Sequence, residues 1–155
     1  MTRLYIPEMS AYKDNTAVKI VVLWTVFLLG TLFHTQLALM PLFHGLDVAS
    51  SHTHEVIGLD AVMWLMLAFF VLPLLAMMAC ILVPSLFFRR IHFAMTLLYT
   101  MLNLAHLIVD ELVSAPGYQL VLMFLLLFVG IMLNLISYQW MSQSARLKKQ
   151  LELSE

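Results

Sequence analysis

The stretch IHFAMTLLYTMLNLAHLIVDELV, residues Ile91–Val113, is long and apolar enough to cross a bilayer as one helix, a crossing that takes roughly 20 residues. Its polar members are not scattered. His92, Thr96, Tyr99, Asn103, His106 and Asp110 follow one another at intervals of three and four, which sets them along one helical face. Lipid does not tolerate such a face, so other helices must cover it.

Working outward, the chain supplies those helices as three more apolar runs, near Val18–Met40, Val62–Phe88 and Gln119–Met141. Asn15–Thr16 reads as a helix start and Pro41 as a stop. Arg89–Arg90 reads as a tight charged connection, and Ser114–Ala115–Pro116–Gly117 as a turn. The expected fold is an all-α four-helix transmembrane bundle, one membrane domain over residues 1–155, with residues 142–155 as a polar helical tail. Pro73 inside the second span should release the carbonyl of Phe69 from the helix ladder. Asn134 in the fourth span lies near the depth of Thr96 and Tyr99, where an interhelical hydrogen bond is expected.

Composition agrees with a membrane protein. Of 155 residues 63% are hydrophobic and 11% charged, against about one-quarter charged in soluble domains. Mean hydropathy is +0.95. A net charge of −1 with no basic block excludes a nucleic-acid binder. Cys80 is the only cysteine, which excludes an internal disulfide, a CxxC redox pair and a cysteine zinc site.

The charges also orient the chain. All eight Lys and Arg fall on the side of the termini and of the second connection, with four acids. The opposite side carries Asp47, Glu55, Asp60, Asp110 and Glu111 and no cation. Positive residues stay inside, so both termini are expected to be cytoplasmic, in a bacterial inner (plasma) membrane. The first apolar run is too long for a signal-peptide core and no cleavage pattern follows it, so no processing is expected. Trp24, Trp140 and Tyr138 toward the inner boundary, with Trp64 and Tyr118 toward the outer, read as an interfacial belt.

His34 in the first span is the counterpart of His106. It lies six residues before Met40, about 9 Å, and His106 lies seven before Val113, about 10 Å, so the two share a level in the outer half. In an up-down bundle the first and third helices are diagonal, roughly 13 Å apart, a gap too wide for direct contact but suited to a metal or haem iron between two imidazoles. His34 and His106 are therefore the expected cofactor ligands, for a single haem b or a transition metal (Cu, Zn or Fe). Asp110, one turn beyond His106, would support its imidazole or act as a further ligand. At that depth the second and fourth spans offer Leu67, Ala68 and Phe69, and Leu125, Leu126 and Leu127, which crowd a porphyrin; Gly130 comes one turn deeper. The inner half offers His92 alone, which excludes a second haem.

The first connection adds His44, His52, His54 and Glu55, nitrogen and oxygen donors of the kind that Zn, Cu or Fe sites use. Met40, Met63 and Met66 lie on the same side, and thioether sulfur would favour Cu(I). A polar solvent-facing loop accounts equally for the loop histidines.

Three readings of function follow. The first is a redox or metal-binding membrane protein with its site in the outer half, coupled to quinone or proton chemistry. The second is a small carrier or proton-conducting subunit using the stripe of His92, Thr96, Tyr99, Asn103, His106 and Asp110, with Glu111 beside it. The third is an accessory subunit that packs by the same stripe in a homo-oligomer or larger membrane complex. Lipid is the expected surrounding in each. No nucleotide loop, serine nucleophile elbow or HExxH motif is present, so soluble-type hydrolysis and phosphoryl transfer are not expected.

Overall fold

A computed structural model describes residues 8–46, 58–83 and 85–153. They form four helices: α1 (Glu8–Phe43), α2 (Leu59–Leu82), α3 (Leu86–Leu112) and α4 (Gly117–Glu152). Each contains a segment long and apolar enough to span a membrane, compatible with a multi-pass integral protein.

Three boundaries differ from the sequence expectation. Helix α1 begins at Glu8 rather than at Asn15–Thr16, and it runs through Pro41 instead of stopping there. Pro41 only loses one backbone donor in the last turn, and Gly45 at φ 73 ends the helix. Leu46 N donates to Pro41 O and Gly45 N to Leu42 O, both at 3.0 Å, the paired bonds of a Schellman cap. The α2–α3 connection is at Val83–Ser85, not at Arg89–Arg90. Pro84 restricts the residue before it, and Val83 is extended at φ −114, ψ 98. Both arginines therefore belong to α3. Arg89 is buried there, with its guanidinium 4.3 Å above the Trp140 ring and Nη1 donating to Trp140 O at 3.1 Å.

The turn after α3 lies where expected. Ser114 adopts φ 56, with Ala115 N donating to Asp110 O and Ser114 N to Glu111 O, a second cap of the same kind. The segment after Met141 continues α4 as one helix to Glu152.

Side-chain partners fix the topology. Trp24 meets His92 and His34 meets His106, so α1 and α3 run parallel. Met77 meets Thr25 near the level of His92 while Phe69 meets Tyr99 further along α3, and Trp140 meets Arg89 while Asn134 meets Thr100, so α2 and α4 run the other way. Close backbone packing joins α1 to α2, α1 to α4 and α3 to α4. Helices α2 and α3 meet through long side chains, with Phe69 against Tyr99. Small residues let the tight pairs approach: a Cβ on Gly30 would strike Leu126 of α4, and one on Gly130 would stand 2.9 Å from Thr100 Oγ1 of α3.

The core is aromatic and sits toward the end bearing the termini. Trp24 contacts Phe27, His92 and Tyr99 edge-to-face, and Trp140 contacts Phe88 and His92. Trp24 is 0% and Trp140 3% exposed, so these two tryptophans are core residues and not part of a belt. Each has a partner inside: Trp24 Nε1 donates to His92 Nε2 at 3.0 Å, and the Trp140 ring lies under Arg89. Trp64, Tyr118 and Tyr138 are exposed, as belt residues would be.

Candidate metal centre

The buried face of α3 comprises Arg89, His92, Thr96, Tyr99, Asn103, Leu107 and Asp110. The polar stripe is thus a real face, with one exchange. Leu107 takes the interior position, and His106 stands on the flank with its side chain 55% exposed.

The half nearer the termini uses most of its polar groups to join helices. His92 accepts from Trp24, and Thr96 Oγ1 donates to its own helix at Phe93 O. Tyr99 Oη donates to Phe69 O at 2.8 Å, the carbonyl that Pro73 leaves free. Asn134 Nδ2 donates at 3.0 Å to Thr100 Oγ1, which itself donates to Thr96 O. The expected interhelical bond of Asn134 therefore exists, with Thr100 as its partner.

The other half brings three donors together. His34 Nε2 and His106 Nε2 are 3.4 Å apart, His34 Nε2 and Asp110 Oδ2 are 3.4 Å apart, and His106 Nε2 and Asp110 Oδ1 are 3.7 Å apart. His34 and Asp110 are buried. The shared level of the two histidines agrees with the sequence. The expected gap between them does not: each imidazole projects from its helix far enough that two facing ones close the diagonal and touch edge-to-face at 81°.

Each residue is held by local structure. His34 follows Thr31, whose hydroxyl bonds back to Phe27 O, and precedes Thr35, which bonds back to Thr31 O; neither threonine competes for the site. Asp110 sits in the last turn of α3, where the Ser114–Ala115 cap fixes its carbonyl. Asp110 Oδ2 and His34 Nδ1 are buried without a hydrogen-bond partner. A buried carboxylate oxygen in that state needs a positive charge or a proton beside it.

The separations indicate which kind. Good hydrogen bonds of this type span about 2.7–3.2 Å, shorter than all three. Two nitrogens each bound at about 2.1 Å to one tetrahedral ion stand about 3.4 Å apart, and this triangle has that size. Two histidines and a carboxylate suit Zn or Fe and leave a fourth position open. A haem fits poorly, since two axial nitrogens about 2 Å from iron on opposite sides stand about 4 Å apart with a porphyrin between them. Thr100 also fills the notch at Gly130 that a porphyrin edge would need.

The other candidates do not join this group. His44 and Glu111 are exposed, and no ligand atom of theirs comes within the 4.8 Å that encloses the three. His52, His54 and Glu55, like Asp47, lie outside the described residues. Met40, Met63 and Met66 are exposed, and Met66 with the buried Met123 lines the cavity beside the triad. His92 lies with Trp24, away from the triad.

Beside the triad is a cavity of about 370 Å³, bounded by Thr31, His34 and Thr35 of α1, Leu65, Met66, Phe69 and Phe70 of α2, Leu102, Asn103 and His106 of α3, and Met123 of α4. Of the α2 wall, the sequence put Phe69 at the level of the histidines and Met66 on the same side but showed no cavity, and Leu65 and Phe70 read only as apolar span. Comparison with protein-family models, with curated proteins and with solved structures gives no match to this chain.

Proposed function

We propose that this is a multi-pass membrane protein built around a transition-metal centre, with His34, His106 and Asp110 as ligands and one coordination position open. The observation that carries the reading is the convergence of His34 Nε2, His106 Nε2 and the Asp110 carboxylate, 3.4 Å between the imidazoles and 3.4 and 3.7 Å from them to its two oxygens, with the buried Oδ2 lacking a hydrogen-bond partner. Its size favours a small tetrahedral ion, Zn(II) first, over a haem. The one-sided placement of Lys and Arg supports a reading in which both termini are cytoplasmic and the triad lies in the outer half of the membrane.

The carrier reading draws less support, because His92, Thr96 and Tyr99 are engaged in bonds that hold the helices and do not form a chain of mobile donors.

Metal content and an optical spectrum of the detergent-purified protein, measured after reconstitution with Zn(II) or with Co(II) as a coloured substitute, test the proposal. One ion per chain is expected, with a tetrahedral-type Co(II) spectrum. Both should be lost in His34→Ala and Asp110→Ala and kept in His92→Gln. A folded protein that takes up no stoichiometric metal refutes the centre, and a Soret band in the purified protein refutes the choice of ion over haem.

A further inference from the structure

The cavity next to the triad lies at the seam where α2 and α3 meet through side chains. Two of its wall residues, Leu65 and Met66, are 69% and 45% exposed on a helix long and apolar enough to span a membrane. The seam therefore opens sideways into hydrocarbon, and an occupant would arrive from the bilayer.

The wall specifies that occupant. Phe69 and Phe70 present rings set edge-to-face, with Phe69 backed by Tyr99 at 4.8 Å, a surface suited to a flat ring. Opposite them stand the Asn103 carboxamide and the exposed imidazole of His106. Asn103 lines the cavity, and its Oδ1, packed away from the opening, is buried without a hydrogen-bond partner. Its NH₂ can donate to a carbonyl, and rotating the carboxamide turns Oδ1 to the cavity, where it gains a hydroxyl donor. A hydrocarbon chain would leave both polar groups unmatched. A ring with carbonyls that become hydroxyls on reduction matches them in either state. The volume lies in the range that holds a small ligand ring with part of its tail.

We propose that this seam cavity binds the ring of a lipid-soluble quinone or its quinol, with Asn103 and His106 holding the ring oxygen and Phe69 and Phe70 the ring face. The site shares His106 with the metal reading, on which it rests to that extent, and goes beyond it through Asn103, which is not a metal ligand.

The test is equilibrium binding of a short-chain benzoquinone to the purified full chain, corrected for micelle partition, with metal content measured on the same samples. One saturable site per chain is expected. Asn103→Leu should raise Kd by about tenfold or more. Met66→Trp, which fills the mouth from the exposed face of α2 and leaves Asn103 in place, should abolish saturable binding. Metal stoichiometry should be unchanged in both variants, so loss of the metal reading and loss of this one are told apart. Non-saturable uptake by the wild type overturns the proposal. So does unchanged affinity in both variants with helicity retained, or displacement of the quinone by an equal concentration of a long-chain alcohol, which would make the cavity a lipid-tail site.

Discussion

Tyr99→Phe removes one oxygen and leaves a ring that still stacks on Phe69 at 4.8 Å and meets Trp24 edge-to-face at 5.2 Å. What it loses is the donor to Phe69 O. Pro73 has no N–H, so that carbonyl has no partner four residues ahead in its own helix. Interhelical hydrogen bonds in membranes average about 0.6 kcal/mol and reach about 1.7, while leaving a buried acceptor unpaired costs about 1–3 kcal/mol. Tyr99→Phe should therefore cost about 1–2 kcal/mol. In a Pro73→Ala background the restored N–H serves Phe69 O, and the same change should cost about 0.6 kcal/mol or less. The coupling of about 1 kcal/mol is measurable by reversible unfolding in mixed micelles, followed by tryptophan fluorescence, across the four members of the cycle. Equal costs in the two backgrounds would show that Tyr99 and Pro73 do not share a carbonyl, and the account of how α2 tolerates its proline would fall.

Other perturbations test separate parts of the structure. Gly30→Ala drives a methyl into Leu126, itself 1% exposed, and should destabilise by about 1–3 kcal/mol in the same assay, but by less in a Leu126→Ala background where the methyl has room. Ser114→Gly removes a side chain from φ 56 and should stabilise the chain by about 0.5–1 kcal/mol, seen as a higher unfolding midpoint. Asp110→Asn should weaken Zn(II) binding more than about 100-fold in a competition titration, since a lost ligand exceeds the effect of a lost supporting group. Metal retention should fall as pH is lowered, because the site needs both imidazoles neutral, and acid dialysis followed by metal analysis checks this.

Much of the fold is legible in the sequence, because apolar run length is a strong signal of the four long helices. The boundaries are less so. Pro41 reads as a stop because proline breaks helices on average, but near a C-terminus it removes a single bond and Gly45 makes the ending. Arg89 reads as a connection because a charge at membrane depth is costly; the ring and carbonyl of Trp140 that offset the cost lie 51 residues away and have no local signature. For the same reason Trp24 and Trp140 read as a belt, since only their distant partners reveal them as core. In the site, the levels of His34, His106 and Asp110 follow from counting residues. Their direct approach does not, because helix-axis distances omit the reach of two imidazoles. The cavity depends on α2 standing off from α3, which no residue pattern encodes.

The contest between a structural and a chemical role for the triad turns on the carboxylate. Neutral orphans such as Asn134 Oδ1 and Ser137 Oγ each cost a few kcal/mol at most, and a well-packed bundle absorbs them. An anionic oxygen at membrane depth costs more and must be offset by a positive charge or by a proton. A proton shared between His34 and Asp110 would serve one edge of the triangle, and that edge should then contract below about 3.2 Å. It would leave His106 Nε2 directed at His34 Nε2 at 3.4 Å with a single hydrogen to place between them. The proposed metal ion would take an electron pair from each of the three ligands and leave no proton to apportion.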